Sequence, residues 1–246
     1  MKDDNAVQEG FPEVVIDGAA GVGKTTVSKA LADRLGYSYI STGYIYRAVA
    51  LKISQNNIDV DDIKAVADVA KEIKLYFKQK DNITRIFMDG SDITDLISAP
   101  TIVPLTAKIS VIPDVRKNLL MVQRKLAKKE RMIFDGRDMG TVVFPNAKWK
   151  FYITASFELR LTRLLKVMDP EEKKKYPNPE SYKPVLEQID RHEKNSPAYM
   201  SLPKDTIIYD NTYSPTPEQD AIVLEYYMTH ADEIMSNAKI LKRYKK

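Results

Sequence analysis

No cysteine occurs in the 246 residues, and there are only two histidines, His192 and His230. The missing thiols exclude disulfide frameworks, thiolate zinc sites, iron–sulfur clusters and cysteine nucleophiles. Two imidazoles leave little for a histidine metal site or a serine–histidine triad. No run approaches the ~18 apolar residues of a membrane helix. The first residues, MKDDNAVQEGFPE, are polar and acidic and do not resemble a secretory signal. Charge of one sign is also lacking: 38 Lys and Arg face 34 Asp and Glu, and a net +4 gives no argument for nucleic acid or a membrane surface. What remains is a chain with 43% apolar residues, long enough to bury a sizeable core. It reads as a soluble cytosolic protein without disulfides, thiolate chemistry or a spanning helix.

Residues 1–12 read as a disordered tail. Val14-Val15-Ile16-Asp17 is a short apolar run of strand type, and Gly18 to Gly23 is glycine-rich. From Lys24 to Leu35 apolar residues recur at Val27, Ala30, Leu31 and Leu35, a helical spacing, with Gly36 placed as a C-terminal cap. Tyr37–Ile40 reads as a second strand and Gly43–Ile53 as a helix. Strand, glycine loop, helix and strand in that order predict a parallel α/β sheet. Further strands are expected at Met132–Asp135, Trp149–Thr154 and Thr206–Asp210. Further helices are expected at Ile112–Glu130, Ser156–Met168 and Pro217–Met228. Residues 56–100 are less regular and read as a small inserted subdomain, with Leu75–Phe77 and Ile83–Asp89 as neighbouring strands. Asp169–Tyr182, with its prolines and charges, reads as a mobile excursion between helices.

Gly18-Ala19-Ala20-Gly21-Val22-Gly23-Lys24-Thr25 fits G-x-x-x-x-G-K-[ST]. Glycines let backbone N–H groups converge on phosphate oxygens, and the following helix directs its positive dipole end at them. Lys24 is placed to reach the β- and γ-phosphates, and the Thr25 hydroxyl to join a Mg²⁺ shell. A chance match occurs in roughly one chain of this length in a hundred. The flanking apolar strand and amphipathic helix supply the context the motif needs. Nucleoside triphosphate binding follows; the fate of the γ-phosphate does not.

Arginine is scarce, at 11 residues, so its placement is informative. Arg47 follows the second predicted strand and Arg137 the third. In a doubly wound sheet ligands bind outside the carboxyl ends of the strands, so both segments should open beside the phosphate loop. Two guanidiniums there point to an anionic acceptor gripped by bidentate contacts.

Beyond these residues the chain resembles the bacterial-type cytidylate kinases. The likeness is carried by Ile16-Asp-Gly…Gly-Lys-Thr-Thr, by Ser41-Thr-Gly-Tyr-Ile-Tyr-Arg-Ala and above all by Phe134-Asp-Gly-Arg-Asp-Met-Gly-Thr-Val-Val-Phe-Pro145. Asp92-Ile-Thr-Asp95 and Ile109–Arg116 match in the same order, and the resemblance runs from about Val14 to Met228. It implies a three-layer P-loop kinase fold with a parallel five-stranded core sheet, over residues 13–230. Within it an acceptor-binding insertion occupies residues 56–110 and a lid 169–185, and a C-terminal helix and basic tail follow at 231–246. The implied reaction is ATP-dependent phosphorylation of CMP or dCMP by a cytoplasmic monomer using Mg²⁺, with no nucleic-acid or membrane partner.

Carried over by position, the resemblance gives the donor phosphates to Gly18, Ala19, Ala20, Gly21, Val22, Gly23, Lys24, Thr25 and Thr26. It gives the acceptor to Thr42, Gly43, Tyr46, Arg47, Arg116, Arg137, Asp138, Arg191 and Asn195, and the catalytic role to Lys24, Arg137 and Arg191. Arg116 and Asp138 would read the edge of cytosine, a donor and an acceptor together. Asn195 and Ala198 stand where the family has Asp and Arg, and Ala107 stands for a serine. These departures keep open a kinase for another small phosphate acceptor, such as UMP, or a catalytically weak nucleotide-binding regulator.

Overall fold

The computed structural model describes residues 12–80, 83–99, 101–127, 131–194 and 201–231. A five-stranded parallel sheet forms its centre: β1 (Val14–Gly18), β2 (Ser38–Ser41), β6 (Met132–Gly136), β7 (Trp149–Thr154) and β8 (Ile207–Asp210), in the order β2-β6-β1-β7-β8. β1 and β6 are buried along their whole length, which explains why they read as continuous apolar runs instead of alternating ones.

From β1 the chain crosses through helix α1 (Lys24–Leu35) to β2 on one side of the sheet, whereas from β6 it passes to β7 on the other. The crevice where this direction reverses lies at the carboxyl ends of β1 and β6. One face of the sheet packs Val14, Ile16, Tyr39, Ile133 and Phe151 against α1 and the helix α9 (Pro217–Thr229). The other face packs Val15, Ile40 and Phe134 with Met139, Val143 and Phe144. Gly36 ends α1 in the left-handed conformation, as the sequence places it.

A second core lies beside the sheet. Helix α2 (Thr42–Gln55) contributes Ile45, Val49 and Ile53, which pack on α3 (Ile63–Glu72), α4 (Ile102–Ser110) and α5 (Pro113–Leu126). A small antiparallel sheet, β3 (Leu75–Lys80), β4 (Ile83–Met88) and β5 (Ser91–Asp92), closes that core through Ile86 and Met88.

The parallel five-stranded centre is as expected. Two details differ. Residues 56–100 are more regular than that reading: Asp62 caps α3 by accepting from the Ala65 N–H at 3.0 Å, and Val66, Val69 and Ala70 face inward. The prolines of 169–182 do not keep that stretch irregular. Pro170 and Pro179 open α7 (Pro170–Lys175) and α8 (Pro179–Lys194), at first-turn positions where a missing N–H costs nothing. The tails 1–11 and 232–246, the end of the Ile112–Glu130 helix at 128–130, and Asn195 and Ala198 lie outside the described residues.

Candidate active site

The phosphate loop joins β1 to α1 through backbone that only glycine adopts freely. Gly21 has φ +76, and a Cβ there would lie 2.9 Å from the Arg160 carbonyl oxygen; one on Gly18 would lie 2.4 Å from that of Ile153. Lys24, the first residue of α1, donates from Nζ to the carbonyls of Gly18 at 2.7 Å and Ala19 at 2.8 Å. Burial pushes its ammonium down to about 7; the neighbouring Arg137 adds to this, while Asp135 and Asp17 oppose it. Thr25 is half-buried and Thr26 exposed.

Each of the two central strands ends in an aspartate followed by glycine. Because Ile16 pairs with Asp135 in the parallel register, Asp17 and Asp135 point to opposite faces of the sheet. Asp17 accepts from the N–H groups of Met139 at 2.9 Å and Gly140 at 2.8 Å, which ties the Arg137–Gly140 turn to the strand that carries the phosphate loop. Burial pushes its carboxyl up to about 6, against those two hydrogen bonds. Asp135 accepts from Tyr39 Oη and Ser41 Oγ, each at 2.6 Å.

Residues 139–143 form a π-helical turn closed by the Phe144 N–H on the Met139 carbonyl at 2.7 Å. Arg124 of α5 donates to its last carbonyls, Val143 at 2.9 Å and Val142 at 3.0 Å. One turn pair earlier on α5, Arg116 forms an ion pair with Asp138 and donates to the Ser110 carbonyl at 3.2 Å. Tyr46 lies close enough to both members of that pair to feel their charges, and burial pushes its phenol up to about 12. Thr42 donates to the Asp135 carbonyl at 2.9 Å. Gly43 is exposed at the start of α2, and Arg47 is half-buried on the same helix with no ion-pair partner among the described residues.

The structure therefore brings Lys24 and Arg137 together, and Arg116, Asp138 and Tyr46 together. Arg191 sits on α8 with an exposed side chain. Its neighbour Asp190 is the residue that reaches the loop's surroundings, pairing with both terminal nitrogens of Arg160 at 2.9 and 2.5 Å.

Several residues escaped the sequence reading. Arg160 donates from Nε to the Ala20 carbonyl at 2.7 Å, and Arg163 from a terminal nitrogen to the Val22 carbonyl at 3.0 Å. Asn211 also donates to Val22, at 2.9 Å, and is itself held near Asp220. A signal existed: the two arginines stand one helical turn apart on α6 (Phe157–Val167), just beyond the strand that pairs with β1. The aspartate-glycine ends of the two apolar runs were equally visible. No group of three or more His, Cys, Asp or Glu that could hold a metal occurs among the described residues.

A glycine-rich phosphate loop at the switch point of a parallel sheet, faced by arginines and backed by buried carboxylates, defines a P-loop phosphotransferase of the nucleoside monophosphate kinase class. A family model described as cytidylate kinase matches residues 14–228. The cytidylate kinase of Caldanaerobacter subterraneus subsp. tengcongensis is 38% identical over 206 residues, 81% of this chain and 87% of that protein. That of Caldicellulosiruptor bescii is 37% identical over 218 residues, 87% and 94% of the two chains. That of Caldicellulosiruptor saccharolyticus is 33% identical over 226 residues, 90% and 98%. The chain belongs to the cytidylate kinase family.

Proposed function

We propose that this protein transfers the γ-phosphoryl group of ATP to the phosphate of CMP or dCMP, acting as a monomer in the cytoplasm. The observation that carries the reading is the turn Arg137–Gly140, held by Asp17 against the strand of the phosphate loop. It sets an acceptor-side arginine beside Lys24 and, one residue on, the Arg116–Asp138 pair.

The loop backbone from Gly18 to Gly23, with Thr26, binds the donor phosphates. Lys24 and Arg137 neutralise charge that develops on the transferring group. No strong general base is needed, because positioning and electrostatics carry most of the barrier reduction in phosphoryl transfer. Arg47 and Arg137 hold the acceptor phosphate, with Thr42, Gly43 and Tyr46 shaping the pocket. Arg191 on α8 completes it from beyond the lid, residues 169–185, and the insertion 56–110 covers the acceptor; Asn195 is assigned to the acceptor by the family resemblance alone. Asp138 accepts from the cytosine amino group while Arg116 donates to the O2 and N3 side. A uracil carbonyl would instead face the carboxylate, which disfavours it.

The donor set also fits Mg²⁺, a hard cation that takes oxygen ligands and keeps several waters and phosphate oxygens. Thr25 supplies a hydroxyl, and the buried Asp135 carboxylate at the end of β6 supplies an anion close to Lys24. The cation, when bound, neutralises charge on the β- and γ-phosphates. Product analysis tests the reading: γ-labelled ATP and CMP should give labelled CDP, and label recovered only as inorganic phosphate would overturn it.

A further inference from the structure

Asp135 is held from strand β2 by a set of hydroxyls that serves no packing purpose. Successive strand residues alternate faces, so Tyr39 and Ser41 project to the same side. Ser41 stands opposite Asp135 in the register, and Tyr39 stands opposite Ile133 one pair behind. Ser41 Oγ therefore meets the near oxygen, Oδ1, while the longer Tyr39 reaches along the strand to Oδ2, both at 2.6 Å. Thr42 holds the backbone carbonyl of the same residue. Tyr39, Ser41, Thr42 and Asp135 are all buried. An ionised carboxylate offers about four lone-pair sites. One on each oxygen is taken by a hydroxyl, which fixes the plane of the group and leaves the remaining pairs aimed in set directions.

The phenol is not locked by packing alone. Its ring borders a cavity of about 280 Å³ between α1 and the small sheet, lined also by Lys29, Asp33, Tyr44 and Thr84. Thr84 of β4 donates to the Tyr39 carbonyl at 3.2 Å, so the insertion touches the same strand.

We propose that Tyr39 and Ser41 are positioning residues that fix the Asp135 carboxylate for the divalent cation accompanying the donor nucleotide. The proposal rests on the phosphoryl-transfer reading. Residues that orient a metal-binding carboxylate typically change metal affinity by about 10–100-fold when removed. Both hydroxyls are spent on Asp135, so their loss should act on the metal more than on CMP.

The test is Mn²⁺ binding to the enzyme–ADP complex, read from the electron paramagnetic resonance signal of free Mn²⁺. Tyr39→Phe and Ser41→Ala each delete one hydroxyl and keep the packing. We expect Mn²⁺ binding weakened about 3–10-fold by either and more than about 10-fold by both together. The KM for CMP should stay within about twofold, and Ser41→Thr, which keeps the hydroxyl, should retain wild-type Mn²⁺ affinity. Mn²⁺ affinity within twofold of wild type in both single variants and the double variant would overturn the proposal. Weaker Mn²⁺ binding in variants of an enzyme that cannot phosphorylate CMP would instead overturn only the transfer reading.

Discussion

The donor and acceptor sides of this molecule are built by different rules. The donor side is one contiguous segment: a buried strand, a loop and the first turn of α1, with its lysine bonded to the loop's own carbonyls and Arg160, Arg163 and Asn211 bracing it from outside. The acceptor side, as proposed, is gathered from α2, α5, the turn after β6 and α8, segments far apart in the chain. Its shape depends on long-range ties such as Asp17 to the Met139 and Gly140 amides and Arg124 to the π-helical turn. A contiguous site stands on backbone conformation, and a gathered one on buried charge. The first should fail outright with its own residues and only weaken when a distant brace such as Arg160 or Asn211 is lost. The second should fail gradually, and through residues that never touch the ligand.

The sharpest break is on the donor side. Lys24→Ala should lower kcat by about 10²–10³-fold, as loss of a single charge-stabilising donor does elsewhere. The melting temperature should change little, since only two hydrogen bonds within the loop are lost. On the acceptor side, Arg116→Ala should lower kcat/KM for CMP by about 10–100-fold and narrow the preference for CMP over UMP. KM for ATP should be nearly unchanged. Equal losses for both substrates would erase the distinction between the two sides.

Backbone dependence has its own test. Gly21→Ala forces a Cβ into the left-handed region and to 2.9 Å from a backbone carbonyl, at an expected cost of about 1–3 kcal/mol in urea unfolding. The same substitution at Gly36, with similar φ but open space around it, should cost less.

How far each side was legible follows from the same difference. The phosphate loop, α1, β1, β6 and β7 were readable because residue type, spacing and continuous apolar runs coincide there. In the Phe134–Pro145 block the residues themselves gave only the strand and the placing of Arg137; the other roles came from the resemblance. Nothing in its spacing foretells that Asp17 bonds Met139 and Gly140, because parallel register joins residues over a hundred positions apart. Helix α3 was passed over although Asp62, Val66, Val69 and Ala70 spell a capped, one-sided helix. Arg160 and Arg163 were not singled out within the expected Ser156–Met168 helix; only the pairing of β7 with β1 turns them toward the loop.

Proton linkage gives the most specific signal. Lys24 sits at about 7 in the folded protein, below its ordinary 10.5, so the unfolded chain binds the extra proton between those values. Stability of the ligand-free protein should therefore rise with pH from about 7 toward 10. Asp17, at about 6 against an ordinary 3.8, works in the opposite sense, and stability from this group should fall as pH rises from about 4 to 6. The two together predict a minimum near pH 6–7. Triphosphate beside Lys24 favours its charged form, so nucleotide binding at pH 8 should take up to about one proton, and less at pH 6. Calorimetry in buffers of different ionisation enthalpy measures this; no uptake at pH 8 would mean that Lys24 is already charged in the empty loop.

The Arg116–Asp138 pair, with Arg137 beside Lys24, is proposed to make this P-loop enzyme a kinase of cytidine monophosphates. ADP formation from Mg·ATP in the presence of CMP, dCMP, UMP, AMP or GMP tests it most directly. Strong stimulation by CMP and dCMP, with UMP well behind and the purine nucleotides near background, is the predicted result. Equal stimulation by all five, or none by CMP and dCMP, would contradict it.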